Sequence, residues 1–364
     1  MPCAASASAK GRSLLKIGNV VLAAWTALSV TTMAGAQTGA ANGAAAAPKA
    51  QQPAPLQLQS LDQTSRPDPF PPVNQKYFTA SSPTVDTVNA FLKALWGYDP
   101  NRIWRVEAIQ ATQAPSISKV VVFVTERTPN AKVQSTAFFV TPDGKHAIEP
   151  LSASVIPFGE KPFVDARKTL EERADGAYRG AAGKDLLLVE FADLQCPHCK
   201  EAQSTMDQLA KDFPNAHIIF QSFPLVEVHP FAFKAAAYGY CISKQKNDAF
   251  FSFSSAVFDN QAGLTPDTGD QTLKDAVTKA GLDPAAIDSC AATQETKDKV
   301  NASIKLAEAV GVDQTPMLAV NGRLLPLSQV AYETLKNIIS YQAVQDGVTG
   351  AAPAAARIAP TLGK

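Results

Sequence analysis

Cysteine is scarce in this chain, and so is any surplus of charge. Lysine and arginine together number 33, matched by 33 aspartates and glutamates. No net positive field draws such a chain to nucleic acid, and no basic block with interleaved aromatics appears, so no nucleic-acid partner is expected. The sequence contains no Walker loop, no dinucleotide-binding glycine fingerprint, no HExxH and no G-x-S-x-G elbow. Hydrolase chemistry has no visible basis, and no cofactor is expected. With 364 residues, 46% of them hydrophobic, the chain has enough material for two domains and loose ends.

The five cysteines are Cys3, Cys196, Cys199, Cys241 and Cys290. Cys3 falls in a segment of its own kind. Lys10, Arg12 and Lys16 precede the apolar run VVLAAWTALSVTTMAGA, and Ala34-Gly35-Ala36 supplies the small residues of a cleavage site. Residues 1–36 are therefore expected to be an export signal, removed from the mature chain. An uncleaved anchor is the competing reading, since residues 17–36 are almost long enough to cross a bilayer. Residues 37–79 are rich in Ala, Gln, Pro and Ser and read as a flexible tether, as do residues 347–364 at the other end.

Two units are expected in between. In the first, residues 80–160, Val88, Phe91, Leu92 and Leu95 have helical spacing within residues 85–98. RIWRVEAIQA, SKVVVFVTE and VQSTAFFVTPDGKHAI then read as strands, the last folded at Pro142-Asp143-Gly144. A helix on an antiparallel sheet is the simplest arrangement, followed by a connecting segment, 161–184, with a helix over residues 163–174. The second unit, 185–346, opens with LLLVEF, a continuous apolar run suited to a strand covered on both faces. Pro197 suits the first turn of a helix running to Phe213. AHIIFQSF reads as the next strand. Four helices, 231–244, 248–258, 271–280 and 293–310, lie within a helical block over about 225–310. MLAVNGRLLPL reads as a hairpin turned at Asn321-Gly322, before a helix over residues 328–344.

The chemistry is concentrated in EFADLQCPHCK, residues 190–200. A zinc site would need a second Cys or His pair, and Cys241 and Cys290 are single residues in helical context, so no metal is expected. A structural disulfide between Cys196 and Cys199 is one reading and a reactive pair the other. At the junction of strand and helix, Cys196 would face unpaired N–H groups and the positive end of the helix dipole, which lowers a thiol pKa. Cys196 is therefore expected to be the exposed nucleophile, with His198 as a donor and positive charge beside it. Cys199, one turn into the helix, is expected to be the shielded resolving thiol. Glu190 is a single carboxylate in an apolar strand, where burial should raise its pKa and suit it to exchanging a proton with Cys199.

FADLQCPHCK resembles the active site of the thioredoxin superfamily, and its CPHC tetrad (Cys196, Pro197, His198, Cys199) is similar to that of the DsbA-like periplasmic disulfide oxidases. The resemblance implies an α/β thioredoxin-like fold with a helical insertion, here preceded by a small α+β domain. GVDQTPMLAVNG resembles the family's cis-proline loop, which assigns substrate contact to Thr315 and Pro316. Glu190 falls at the position of the family's buried acidic residue. The implied activity is thiol:disulfide exchange in the periplasm on unfolded or partly folded exported proteins, with a membrane or soluble redox partner to restore the pair. Thr315 and the front unit are more similar to the DsbC and DsbG isomerases, which keeps isomerase or reductase activity and a homodimer as alternatives to oxidase. A redox-silent binding module is the alternative of a different class.

Free thiols in an oxidising compartment are a liability, so Cys241 and Cys290 are expected to form a structural disulfide, with two inert buried thiols as the alternative. Phe250, Phe251, Phe253 and Phe258 have the spacing of core. His229-Pro230 reads as a helix start and resembles a position common in DsbA-type sequences, where the segment packs near the site. His146 and His217 are assigned no role.

Overall fold

The computed structural model describes residues 68–150 and 155–348. The expected export signal, the tether as far as residue 67 and residues 349–364 of the tail lie outside the described residues. Among the described residues no helix is long and apolar enough to cross a membrane.

The front unit begins with helix α1, Val85–Trp96, whose first turn is capped by the Thr84 side chain accepting from Thr87 N at 3.2 Å. Val88, Phe91, Leu92 and Trp96 form its buried face. They cover an antiparallel sheet of β1 (Arg102–Ala111), β2 (Ser118–Glu126), β3 (Gln134–Val140), β4 (His146–Ile148) and β5 (Val155–Pro157), paired in sequence order. Phe91, Phe138 and Phe158 pack ring against ring in this core. The expected tether ends earlier than residue 79: Asp68 forms an ion pair with Arg105 at 3.0 Å, Phe70 stacks on Phe123, and Phe78 bridges to Ile109. The apolar and charged groups that composition alone placed in a linker find partners on β1 and β2.

A short helix, α2 (Arg167–Arg173), leads into the second sheet, ordered β10-β9-β7-β8-β6. Its strands are β6 (Ala177–Gly180), β7 (Leu186–Ala192), β8 (Ala216–Ser222), β9 (Met317–Val320) and β10 (Arg323–Pro326). The expected start at residue 185 is too late, because β6 pairs antiparallel with β8 and belongs to this sheet. All seven residues of β7 are buried. On one face Leu186 and Leu188 meet Met206 and Leu209 of α3 (Pro197–Asp212) and Leu335, Ile338 and Ile339 of the C-terminal helix, Tyr332–Gln345. On the other face Leu187, Val189 and Phe191 meet Leu170, Leu306, Ala307 and Val310. Sheet alternation thus puts Glu190 on the α3 side.

The helical block contains α4 (Ala232–Gln245), α5 (Asn247–Asp259), α6 (Gly269–Lys279), α7 (Pro284–Ala291) and α8 (Gln294–Ala309), and Tyr332–Gln345 is α9. The expected four helices are five, since α7, with Asp283 as its cap and Pro284 in its first turn, occupies the stretch read as a connection. Phe250, Phe253 and Phe258 are buried in the core of the block. Cys241 and Cys290 are joined by a disulfide that ties α4 to α7, with Cα atoms 6.1 Å apart.

β9 runs antiparallel to β7 and pairs Met317 with Phe191 and Val320 with Leu188. Pro316 is thereby delivered to the C-terminal end of β7, next to Cys196, while the Asn321-Gly322 turn lies at the opposite end. Both turn residues have positive φ, 46° and 92°. A Cβ on Gly322 would stand 2.4 Å from Arg167 N, so the approach of α2 also requires glycine there. The front unit docks at this remote end: Tyr98 joins the core of α3 and α9, and Tyr341 Oη donates to Lys93 O at 2.8 Å.

Candidate active site

Cys196 is the N-cap of α3 and Pro197 its first residue, as a missing N–H at that position allows. The Cys196 carbonyl accepts from Cys199 N at 3.1 Å, and Cys196 Sγ approaches Thr315 O at 3.8 Å. Thr315 and Pro316 are joined by a cis peptide bond. The structure therefore brings Cys196, Cys199, Thr315 and Pro316 together from two ends of the chain. It corrects one expectation: Cys196 is buried, with only 4% of its surface exposed. The Thr315–Pro316 loop covers one side of it, and Gln261 Nε2 donates to its carbonyl from another at 3.0 Å. Pro197 and His198 are the exposed members of the tetrad.

The two sulfurs are strongly differentiated. Cys196 is held down to about 5, first by the hydrogen bond from the Cys199 thiol, against the burial that would raise it. The Thr315 side chain and the main-chain N–H groups of Cys199 and His198 add to the effect. Thr315 Oγ1 is buried and has no hydrogen-bond partner among the described residues. Cys199 is pushed far up by burial, then by its donation to Cys196 and the charge there. His198 is the donor and the charge beside Cys196 that were expected, the donor by way of its main chain. Its ring points to Glu201, 3.0 Å from Nδ1 to Oε2, and that contact raises the imidazole pKa, with the charge at Cys196 adding to the rise. The donor that His198 offers Cys196 is its main-chain N–H.

Glu190 is 2% exposed, and burial pushes its carboxyl up to about 7. Gln203 Nε2 donates to Glu190 Oε1 at 2.9 Å and to Cys199 O at 3.0 Å, so this amide is the link between the carboxyl and the resolving cysteine.

Sequence reasoning passed over Gln203, Gln195, Gln261 and Asp193. Gln195 Oε1 accepts from Phe231 N, its amide donates to Leu264 O, and Gln261 Nε2 also reaches Leu194 O. These side chains tie the loop before Cys196 to the helical block. Nothing in the local pattern marks a glutamine for such a task. Asp193 did carry a signal, the same one that drew attention to Glu190: a carboxylate in an apolar stretch just before the cysteine pair. Among the described residues no group of three or more His, Cys, Asp or Glu side chains could hold a metal ion.

Chemically, this is a pair in which one sulfur is an anion at neutral pH and its neighbour a protonated, shielded thiol. It can attack a disulfide through Cys196 and release the mixed product through Cys199.

Residues 174–340 match the model of the family described as thioredoxin. Among curated proteins, the chain is 26% identical over 145 residues to the Na(+)/H(+) antiporter NhaA 3 of Salinispora tropica, a match covering 40% of this chain and 21% of the antiporter. It is 31% identical over 147 residues to NhaA 1 of Mycolicibacterium vanbaalenii, covering 40% and 23%. The chain thus spans about a fifth of the length of these relatives. Among solved structures, ScsC of Proteus mirabilis in a transitional conformation aligns at 20% identity with a TM-score of 0.42, over 50% of this chain and 77% of that one. The thiol-disulfide exchange protein α-DsbA2 of Wolbachia pipientis aligns at 20% and 0.43, over 48% and 92%. The family match falls on the β7-Cys196-α3 unit and the Pro316 loop, so residues 174–340 of this chain are similar to the family described as thioredoxin.

Proposed function

We propose that the chain is a thiol:disulfide oxidoreductase that introduces disulfides into exported proteins through Cys196 and Cys199. The observation that carries this reading is the geometry of the pair, with Cys196 at the N-cap of α3 beside the Thr315–Pro316 loop and Cys199 fully buried one turn on, which holds Cys196 down at about 5 and pushes Cys199 far up. A stabilised thiolate is a good leaving group, so the oxidised pair gives up its disulfide readily. A client thiolate attacks Cys196 Sγ, and the Cys196–Cys199 bond breaks with the electron pair going to Cys199, which takes up a proton. A second client thiolate then attacks the client sulfur of the mixed disulfide and releases Cys196 as the thiolate. The client has lost two hydrogens and the protein is left as the dithiol. Thr315 and Pro316, beside the sulfur, are the residues proposed to contact the client chain.

The periplasm is the proposed location, and unfolded or partly folded exported chains are the proposed clients; the leader-like segment of residues 1–36 supports both. A membrane or soluble redox partner would reoxidise the pair.

Isomerase activity is the second reading, favoured by Thr315 before the cis-proline. The docking of the front unit at the end of the sheet remote from Cys196 weighs against it within one chain, because Tyr98 and Tyr341 hold that unit away from the sulfurs. Oxidised protein mixed with a reduced multi-cysteine client, and reduced protein mixed with a scrambled one, test the two together. Fast oxidation with little unscrambling is expected; efficient unscrambling with slow oxidation would make the second reading the right one.

A further inference from the structure

Asp193 and His229 form a buried pair that none of the steps above uses. The Asp193 side chain is fully buried, and His229 Nδ1 donates to its Oδ2 at 2.7 Å. Leu225 N donates to the same oxygen at 2.9 Å, and Gln195 N donates to Oδ1 at 2.7 Å. The carboxylate therefore has three donors from two separate segments: the loop that leads into Cys196, and the turn of residues 225–229 that leads into α4. A buried carboxylate is tolerated only when satisfied in this way. At the other end of the same residue, Asp193 N donates to Cys199 Sγ at 3.3 Å. This N–H acts against burial at the resolving sulfur and lowers the Cys199 pKa from where burial would otherwise put it.

We propose that Asp193 is a positioning residue for the resolving step: its carboxylate, held by His229 and Leu225, aims its own main-chain N–H at Cys199 Sγ, where negative charge develops as Cys199 attacks the mixed disulfide. The main-chain N–H of Asp193 acts at Cys199, while its carbonyl accepts from Cys196 N at 3.0 Å and leaves the Cys196 sulfur to the Cys199 thiol, Thr315 and the N–H groups of Cys199 and His198. A preset donor aimed at developing charge accelerates the step in which that charge appears and leaves other steps alone. His229, with 20% of its side chain exposed, is the more accessible member of the pair.

The inference rests on the proposed thiol exchange, and glutathione disulfide is a probe that separates the two. The Cys196 thiolate attacks one sulfur of glutathione disulfide, a Cys196–glutathione bond forms, and one glutathione thiolate leaves and takes up a proton. Cys199 then gives up its proton and attacks Cys196 Sγ. The bond to glutathione breaks, and the second glutathione leaves carrying a proton. The sum is one protein disulfide and two reduced glutathiones from one protein dithiol and one glutathione disulfide.

Acid-quenched mass spectrometry of the reduced full-length protein follows both steps. With His229→Ala, the second step is expected to slow by about tenfold while the first stays within about threefold of the parent. His229→Asn, whose Nδ2 can occupy the place of Nδ1, is expected to recover most of the loss. Asp193→Asn, which replaces one of the two accepting oxygens with an NH₂ donor, should be slower than His229→Ala if it folds. An unchanged second step in His229→Ala, an equal loss in both steps, or no recovery in His229→Asn would each overturn the inference. A parent protein that forms no glutathione adduct at Cys196 would instead overturn the activity on which it rests.

Discussion

Gln203 connects Glu190 to the resolving cysteine, its single amide nitrogen standing 2.9 Å from Glu190 Oε1 and 3.0 Å from Cys199 O. Because one NH₂ carries two protons, it can serve both acceptors at once. The carboxyl is thus held one residue away from the sulfur, on the α3 face of β7, in surroundings that favour its neutral form.

That burial has a consequence for stability. The Glu190 pKa is raised from 4.5 to about 7 in the folded protein, so its contribution is fully present below about 4.5. As pH rises the unfolded chain ionises first, and folding loses stability until pH passes about 7. The shift corresponds to about 3 kcal/mol. Glu190→Gln should remove this dependence, leaving the variant more stable than the parent above pH 7 and closer to it at pH 4.5. Urea unfolding of both oxidised proteins, in which Cys196 does not titrate, measures the difference. A difference that stays flat from pH 4.5 to 8 would contradict the burial argument. Turnover should fall in the same variant, because the resolving step loses its nearby proton acceptor.

Cys196 should titrate near pH 5 when the ultraviolet absorbance of its thiolate is followed in the reduced protein. The sign of the linkage is opposite to that of Glu190. The folded pKa is depressed, so the stabilisation is complete above the pKa of the unfolded thiol and is lost as pH falls through about 5. Cys199→Ala should move the midpoint upward, since the Cys199 thiol is the largest single cause of the depression. A midpoint near that of a free thiol, or one indifferent to Cys199→Ala, would show that the hydrogen bond between the sulfurs does not set the ionisation.

The bridge between Cys241 and Cys290 closes a stretch of 49 residues through the helical block. Loop-closure entropy over that length corresponds to about 4 kcal/mol. The double variant Cys241→Ala/Cys290→Ala should lose an amount of this order in denaturant unfolding. A loss below about 1 kcal/mol would mean that the unfolded block is already compact.

Arg323 presents the reverse case. It is 3% exposed, its guanidinium lies 3.9 Å from the centre of the Phe163 ring, and Nε and Nη1 make no hydrogen bond. Burial lowers its pKa to about 10. The ring recovers part of the lost hydration, and among the described residues no carboxylate pairs with it to recover the rest, so Arg323→Met should raise stability by about 1 kcal/mol. A clear drop in melting temperature would show that the stacking outweighs the desolvation.

Several of these residues could be read from sequence and several could not, for physical reasons. β1 and β2 were legible to the residue because each is rich in β-branched and other apolar residues and is closed by turn signals. Cys196, Cys199, Glu190 and Pro316 carry local signatures of spacing, burial or resemblance. β6 is four residues long, follows Gly176 and ends on Gly180, too short for an alternating pattern to show. α7 has only eight residues, of which Ile287 and Ala291 are buried. The exposure of Cys196 was misjudged because the groups that cover it, Thr315 and Gln261, lie far away in the chain. The pairing of the His198 ring with Glu201, one turn on, has no local signature. Local pattern reports what a residue is able to do, and contacts between distant segments decide which of those abilities is used.

The equilibrium redox potential of the Cys196–Cys199 pair, measured against glutathione by counting free thiols, bears most directly on the central claim. A Cys196 thiolate held as firmly as this geometry holds it makes the reduced form the stable one. The potential should lie nearer the about −120 mV of a strongly oxidising pair than the about −270 mV of thioredoxin. A value at or below about −270 mV would contradict the account, because the disulfide would then be the favoured form and the protein a reductant.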